Sequence, residues 1–371
     1  MKKGILFLCF LGLAIACSSN DGDGNQQDNK YDRTALLTNW ADNIIVPAYE
    51  NYQSKVNALT ANTATFTTTP TEANLQLLRT SWLEAYKAYQ SVMMYNIGKA
   101  ELISFKESTN TYPADAVGID TNIANGSYNL ALYSQFPRQG FPGLDYLING
   151  LSNSDAAIVS FYSSNVNATA YKQYLTAVVA RLQTSIDSIV TDWNTSFRDG
   201  YVAASGTSVS SSVNKTTNNF VKNYERDIRS AKVGIPAGKL SGGTTFPQSV
   251  EGYYKNDVSK ELLLASLQAS QDFFNGKHFG SATTGPSLKG YLDFIHGDRE
   301  SIKLSDMINE KFNAANTAVG TLSNSFSQQI ISDNTKMLTA YEAIQQNMVL
   351  IKLDMMQALN ITIDYVDGDG D

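Results

Sequence analysis

The sequence predicts an all-α protein built from two helical bundles, and three features point there. Apolar residues recur every three or four positions over long stretches, as they must on the buried face of a helix with about 3.6 residues per turn. Alternating strand patterns are nearly absent, and Gly, Pro and Asn-rich connections at 108–139, 199–214, 233–256 and 275–290 separate the helical stretches. The body divides into two halves, 31–165 and 166–371. Each opens on a long aromatic-rich helix after a polar segment, the arrangement an ancient duplication would leave.

In chain order, Lys2-Lys3 precede a 13-residue apolar run, Gly4 to Ala16, that ends in Leu13-Ala14-Ile15-Ala16-Cys17. A bilayer span takes about 20 apolar residues, so residues 1–16 read as a signal peptide. The small residue before Cys17 resembles a bacterial lipobox, in which the Cys is acylated and becomes the mature N-terminus. Residues 17–30 are small, polar and acidic after the Cys and predict a flexible tether from lipid to domain. Acids soon after a lipid-bearing Cys resemble the surface-export signal of Bacteroidetes lipoproteins, although glycines interrupt them here. An outer-membrane lipoprotein follows, on the periplasmic face or the cell surface.

Leu37, Trp40, Ile44 and Ala48 open the first helix, which Pro47 should kink. Thr69-Pro70-Thr71-Glu72 reads as a capping box with Pro at the first helical position, ahead of a stripe of Leu75, Leu78, Trp82, Tyr86, Tyr89 and Met93. The second half carries three further stripes. They run from Tyr171 through Leu175, Val178, Leu182, Ile186, Ile189 and Trp193 to Phe197, from Leu304 to Ile330, and from Tyr341 to Leu359. Their aromatic and Met residues read as core packing.

Composition removes several functions. The 371 residues, 43% of them hydrophobic, suffice for a large core. The formal charge is −7, and seven of the 35 acids lie in the end segments 18–30 and 361–371, so the body is almost neutral. Such a body lacks the clustered Lys and Arg that release counterions from nucleic acid. Cys9 falls in the signal peptide and Cys17 carries lipid, which leaves no thiol for a disulfide, a nucleophile or a zinc site. No G-x-S-x-G elbow exists. Gly234 to Ser241 imitates a P-loop but is one residue short, and Leu240 follows Lys239 where Ser or Thr is required. His296, Asp298 and Glu300 could offer metal ligands from a loop, but Gly297 beside a helix start reads more simply as a solvated connection. Asp367, Asp369 and Asp371 resemble the start of an EF-hand loop without its remaining ligands.

Three segments together carry a family resemblance. A helix with Trp82-Leu83-Glu84-Ala85-Tyr86-Lys87-Ala88-Tyr89, a later Gly140-Phe141-Pro142-Gly143-Leu144-Asp145-Tyr146-Leu147-Ile148 and a long helix ending in Trp193 resemble the imelysin family over about residues 33–360. The resemblance implies a two-domain helical fold, a metallopeptidase history and an association with bacterial iron uptake. It also implies iron or zinc at a G-x-H-x-x-E motif, which lands on Gly140 to Asp145. Here Pro142 replaces the His and has no lone pair for a metal, and Asp145 replaces the Glu. Tyr86 and Met93 stand where the family commonly has Arg and Glu. From these departures no cofactor is expected.

The long connection 233–256 is the other candidate region, because long loops on rigid scaffolds tend to carry function. If it folds over the GFPGLD turn, Asp145 and Glu251 face Arg229 and Lys232 in a cleft between the halves. Either Gly140, Phe141, Pro142, Asp145, Arg229, Lys232 and Glu251 bind a ligand, or the charges form buried structural pairs. The reading is a non-enzymatic cell-envelope lipoprotein that binds a ligand or partner, with iron or haem uptake components and the membrane as partners. A divergent metallopeptidase is the alternative, and a purely structural role is a third.

Because the Cys17 lipid is the only anchor this reading provides, Cys17→Ser should move the protein from the membrane to the soluble fraction. Fractionation in high salt checks this, and retention of the variant in the membrane would refute the lipobox.

Overall fold

In the computed structural model, which describes residues 30–299 and 301–365, long helical rods carry the fold. Helix α1 runs from Arg33–Asn39 through a π-helical stretch, Trp40–Ile45, into Val46–Thr68. The lipobox, the tether up to residue 29, Glu300 and the acidic run after residue 365 lie outside the described residues.

Pro47, expected to kink this helix, sits just after the π-helical stretch. It has no N–H for the Asn43 carbonyl, which accepts the Phe279 N–H at 2.8 Å instead. Helix α2, Glu72–Gln90, is capped by Thr71, whose hydroxyl accepts the Asn74 N–H at 3.2 Å. The expected capping box was therefore misplaced: Thr71 rather than Thr69 caps the helix, and Pro70 stays outside it. The reason is local, since Thr71 keeps an extended backbone and its oxygen reaches the first turn.

Helix α3, Gly140–Asp145, continues as π-helical Tyr146–Gly150. Helix α4, Ala168–Asp192, continues through Trp193–Phe197 and Arg198–Ala203. Helix α5, Ser212–Lys222, passes into a π-helical segment, Asn223–Gly234. Then follow α6, Ser259–Phe274, α7, Leu304–Gly320, and α8, Phe326–Val349, the last extended by Leu350–Met355 and Met356–Ala358. Strand among the described residues amounts to a two-residue hairpin, Asp298–Arg299 antiparallel to Ile302–Lys303, and an isolated bridge.

Each apolar stripe is a buried face. Leu175, Val178, Leu182, Ile186, Ile189 and Trp193 of α4 are buried, and so are Leu304 to Ile330 of the next stripe and Tyr341 to Leu359 of the last. The 304–330 stripe is nevertheless two helices, because the chain turns at 321–325 and Ser325 caps α8 through the Gln328 N–H. Helix α1 packs on α2 and α4. Helix α7 packs on α6 and α8, and α8 on the π-helical end of α5. Helix α4, which begins the second half in the sequence reading, thus lies with the first-half helices. Helix α6 touches α2 and joins the groups, and from Asp32 the described chain is one compact unit. None of its helices is long and apolar enough to cross a membrane.

Burial sets the stability contrast. Ile186→Ala, at a fully buried site in α4, should cost about 2–5 kcal/mol, while Leu353→Ala, 55% exposed, should stay within about 0.5 kcal/mol. Urea melts of the two variants measure this.

Candidate functional site

The GFPGLD turn is placed by the aromatic face of α2. Trp82 donates its indole N–H to the Phe141 carbonyl at 3.1 Å, and the Phe141 ring stacks on Tyr86 with centroids 4.4 Å apart and planes 6° from parallel. Gly140 has φ +67°, and a Cβ there would lie 2.2 Å from the Thr109 carbonyl oxygen. Only glycine allows that approach without displacing backbone. All six residues from Gly140 to Asp145 are buried.

Asp145 is a clip rather than an open ligand. One carboxylate oxygen accepts the Tyr254 N–H, and the other accepts the Lys255 N–H and the Asn149 amide, each at 2.9 Å. Burial pushes its carboxyl up to about 7, against the opposing pull of these donors. The 233–256 connection is thereby fastened over the turn.

Beside the clip lies a closed hydrogen-bond ring. The Lys232 ammonium pairs with one Glu251 oxygen and donates to the Gln90 carbonyl oxygen at 2.9 Å. Asn110 donates to the other Glu251 oxygen at 2.6 Å and accepts the Tyr86 hydroxyl at 2.5 Å. The Gln90 amide returns to the Tyr86 carbonyl at 3.3 Å. Lys232 and Glu251 are both buried, so burial pulls the lysine down while the Glu251 carboxylate holds it up.

Of the predicted charges, then, Lys232 and Glu251 meet each other and Asp145 meets backbone. Arg229 points elsewhere. It donates to Gln345, lies 3.7 Å from Glu225 and sits over the Tyr341 ring. Glu225 is in turn held by Lys352 and the Tyr365 hydroxyl. Lys239 of the P-loop imitation pairs with Glu342 at the surface. His296 sits at a tight turn with φ +52°.

Two clefts flank Tyr112 and Pro113. The first, about 390 Å³, is lined by Tyr89, Met93, Lys106, Asn110, Tyr112 and Asp227 among others. The second, about 250 Å³, is lined by Pro142 and Asp145 together with Gln248, Val250, Tyr253 and Tyr254. The iron or zinc that the resemblance implies finds no ligand set in these residues. Pro142 offers no donor atom, and both Asp145 oxygens are taken by N–H groups, so they do not fit a metal. Among the described residues no group of three or more His, Cys, Asp and Glu side chains converges on such a site.

Gln90, Asn110, Lys106 and Asp227 were not singled out from the sequence. Gln90 did leave a signal, since it stands four residues after Tyr86 on the apolar face of α2, where an amide needs a buried partner. The others meet through contacts more than 100 residues apart and left none.

The clip generates a pH prediction. The folded value of Asp145 lies above its ordinary 3.8, so the folded chain holds the extra proton between about pH 4 and 7. Stability from this group is present at low pH and is lost as pH rises through about 7. Asp145→Asn should flatten that slope. It should also cost about 1–3 kcal/mol, because one of the two backbone N–H groups loses its acceptor. Urea melts from pH 4 to 8 read both effects.

Comparison with known proteins places this arrangement. The family model for imelysin matches residues 45–351. An iron-regulated protein A of Synechococcus elongatus is 23% identical over 164 residues, which cover 43% of this chain and 41% of that protein. The chain thus matches less than half the length of this curated relative. An imelysin-like protein from Psychrobacter arcticum has a similar crystal structure, with a TM-score of 0.70 at 18% identity over 90% of this chain and 97% of that one. A protein designated an iron-regulated protein A precursor from Parabacteroides distasonis gives 0.71 at 15% identity, over 88% and 94%. These structural likenesses concern the fold. With the family model covering most of its length, the chain belongs to the imelysin family.

Proposed function

We propose that this protein is a cell-envelope lipoprotein of an iron or haem uptake system that binds a ligand or partner without metal-dependent hydrolysis. The observation that carries the reading is Asp145, whose two oxygens both accept N–H groups while Pro142 fills the histidine position. A hydrolytic metal needs several protein ligands and an open position for water. The motif here instead anchors a loop between two clefts. The iron association rests on family membership and on relatives named as iron-regulated proteins. The envelope address rests on the sequence before residue 30.

The test uses the full chain purified from its host and dialysed against Zn²⁺ or Fe²⁺. The expected result is no stoichiometric metal, unchanged metal content in Asp145→Asn, and slower growth of a deletion strain on limiting iron. Stoichiometric metal that disappears in Asp145→Asn would overturn the reading in favour of a metallopeptidase. Unimpaired growth of the deletion strain would remove the uptake role.

A further inference from the structure

The first cleft has a chemistry of its own. It is lined by Tyr89, fully buried in α2, whose hydroxyl has no hydrogen-bond partner among the described residues. A buried hydroxyl without a partner carries an energetic cost, and such groups call for an explanation. Glu107 and Asp227 line the same cleft as Tyr89.

The charges around the cleft do not cancel. The Lys106 ammonium gives both its contacts to Asp227, at 3.0 and 3.1 Å, and the pair is neutral. Glu251 is neutralised by Lys232 behind the wall. Glu107 makes no ion pair among the described residues, which leaves the cleft one negative charge. The rest of the lining is mostly apolar or aromatic, with Met93, Tyr112, Pro113, Ala231 and Ile235, and the neutral polar residues Asn110, Thr111 and Ser249 complete it. At about 390 Å³ the space falls in the range of small-molecule sites.

We infer that this cleft binds a small organic cation. Its ammonium group lies on the Glu107 and Asp227 side within reach of the Tyr89 hydroxyl, and its apolar body lies against Met93, Tyr112 and Ile235. Tyrosine faces attract such cations, and a carboxylate without a counter-charge selects against anions of the same shape. The inference rests on the ligand-binding reading above and names the class of ligand.

Calorimetric titration of the full chain with phenethylammonium, against 3-phenylpropionate as the anion of similar shape, tests it. One site should fill with the cation, and the anion should bind at least about ten-fold more weakly. Glu107→Gln, a surface change that leaves the core alone, should weaken the cation about ten-fold, and Tyr89→Phe about five-fold. Glu342→Gln, a surface change outside the cleft lining, should leave binding unchanged. Equal or tighter binding of the anion overturns the cation assignment and leaves a ligand cleft in place. Cation binding unmoved by both Glu107→Gln and Tyr89→Phe, or no binding at all, also overturns it. Failure of the ligand-binding reading is read separately, from metal that depends on Asp145.

Discussion

The buried pair of Lys232 and Glu251 is the constraint around which the site is arranged. Two charges removed from water are tolerated only when their remaining donors and acceptors are met. Here Gln90 and Asn110 supply the missing contacts, and Tyr86 ties Asn110 back to α2. That requirement brings together four stretches far apart in sequence: the end of α2, the segment after Thr109, the π-helical end of α5 and the loop at 251. Removing either charge would leave its partner buried and uncompensated, so the ring acts as one unit.

The GFPGLD turn meets the same loop by a different chemistry. Gly140 lets the turn pass against the Thr109 carbonyl, Phe141 stacks under Tyr86, and Asp145 fastens the backbone at 254 and 255. At the positions where the resemblance implies metal ligands, this chain has Pro142 and an Asp145 whose oxygens accept N–H groups. Pro142 suits its position, since a buried ring without a lone pair asks for no partner. Asp145 keeps a carboxylate because two backbone N–H groups from one loop need two acceptor oxygens.

The helical class was legible because burial imposes a period. Every residue of the stripe from Leu75 to Met93 is buried, as the spacing required, although α2 ends at Gln90 and Met93 lies in the turn after it. Ends and breaks were less legible because they are settled by single contacts. The Asn43 carbonyl finds Phe279, Thr71 rather than Thr69 caps α2, and the long 304–330 stripe hides a turn whose apolar Leu322 stays in phase. Within the site, the sequence brought out Asp145, Lys232 and Glu251 as residue types that demand partners, yet not which partners they have. Arg229 shows the limit. Only three residues before Lys232, it is turned by the π-helical segment toward α8. Tyr89 was read as core, and its ring is core. The fold alone leaves its hydroxyl without a partner among the described residues.

The two clefts share their walls, and this bears on how the site is held. Tyr112 and Pro113 line both. Ser249 lines the first cleft while Gln248 and Val250 line the second, so successive residues of one segment serve opposite sides. That segment is fixed at its far end twice, by Glu251 in the ring and by the Asp145 clip at 254 and 255. Anything that fills the first cleft therefore presses on a wall whose position is set by the ring and the clip together. Tyr89 and Tyr112, which line the first cleft, and Tyr86 in the ring beside it are all pushed well above their usual range, first by burial and then by carboxylates that include Glu251. They stay neutral and keep their hydroxyl protons over the whole physiological range. A wall of neutral hydroxyls and aromatic faces, backed by a compensated ion pair, leaves Glu107 as the charge that discriminates between ligands entering the first cleft.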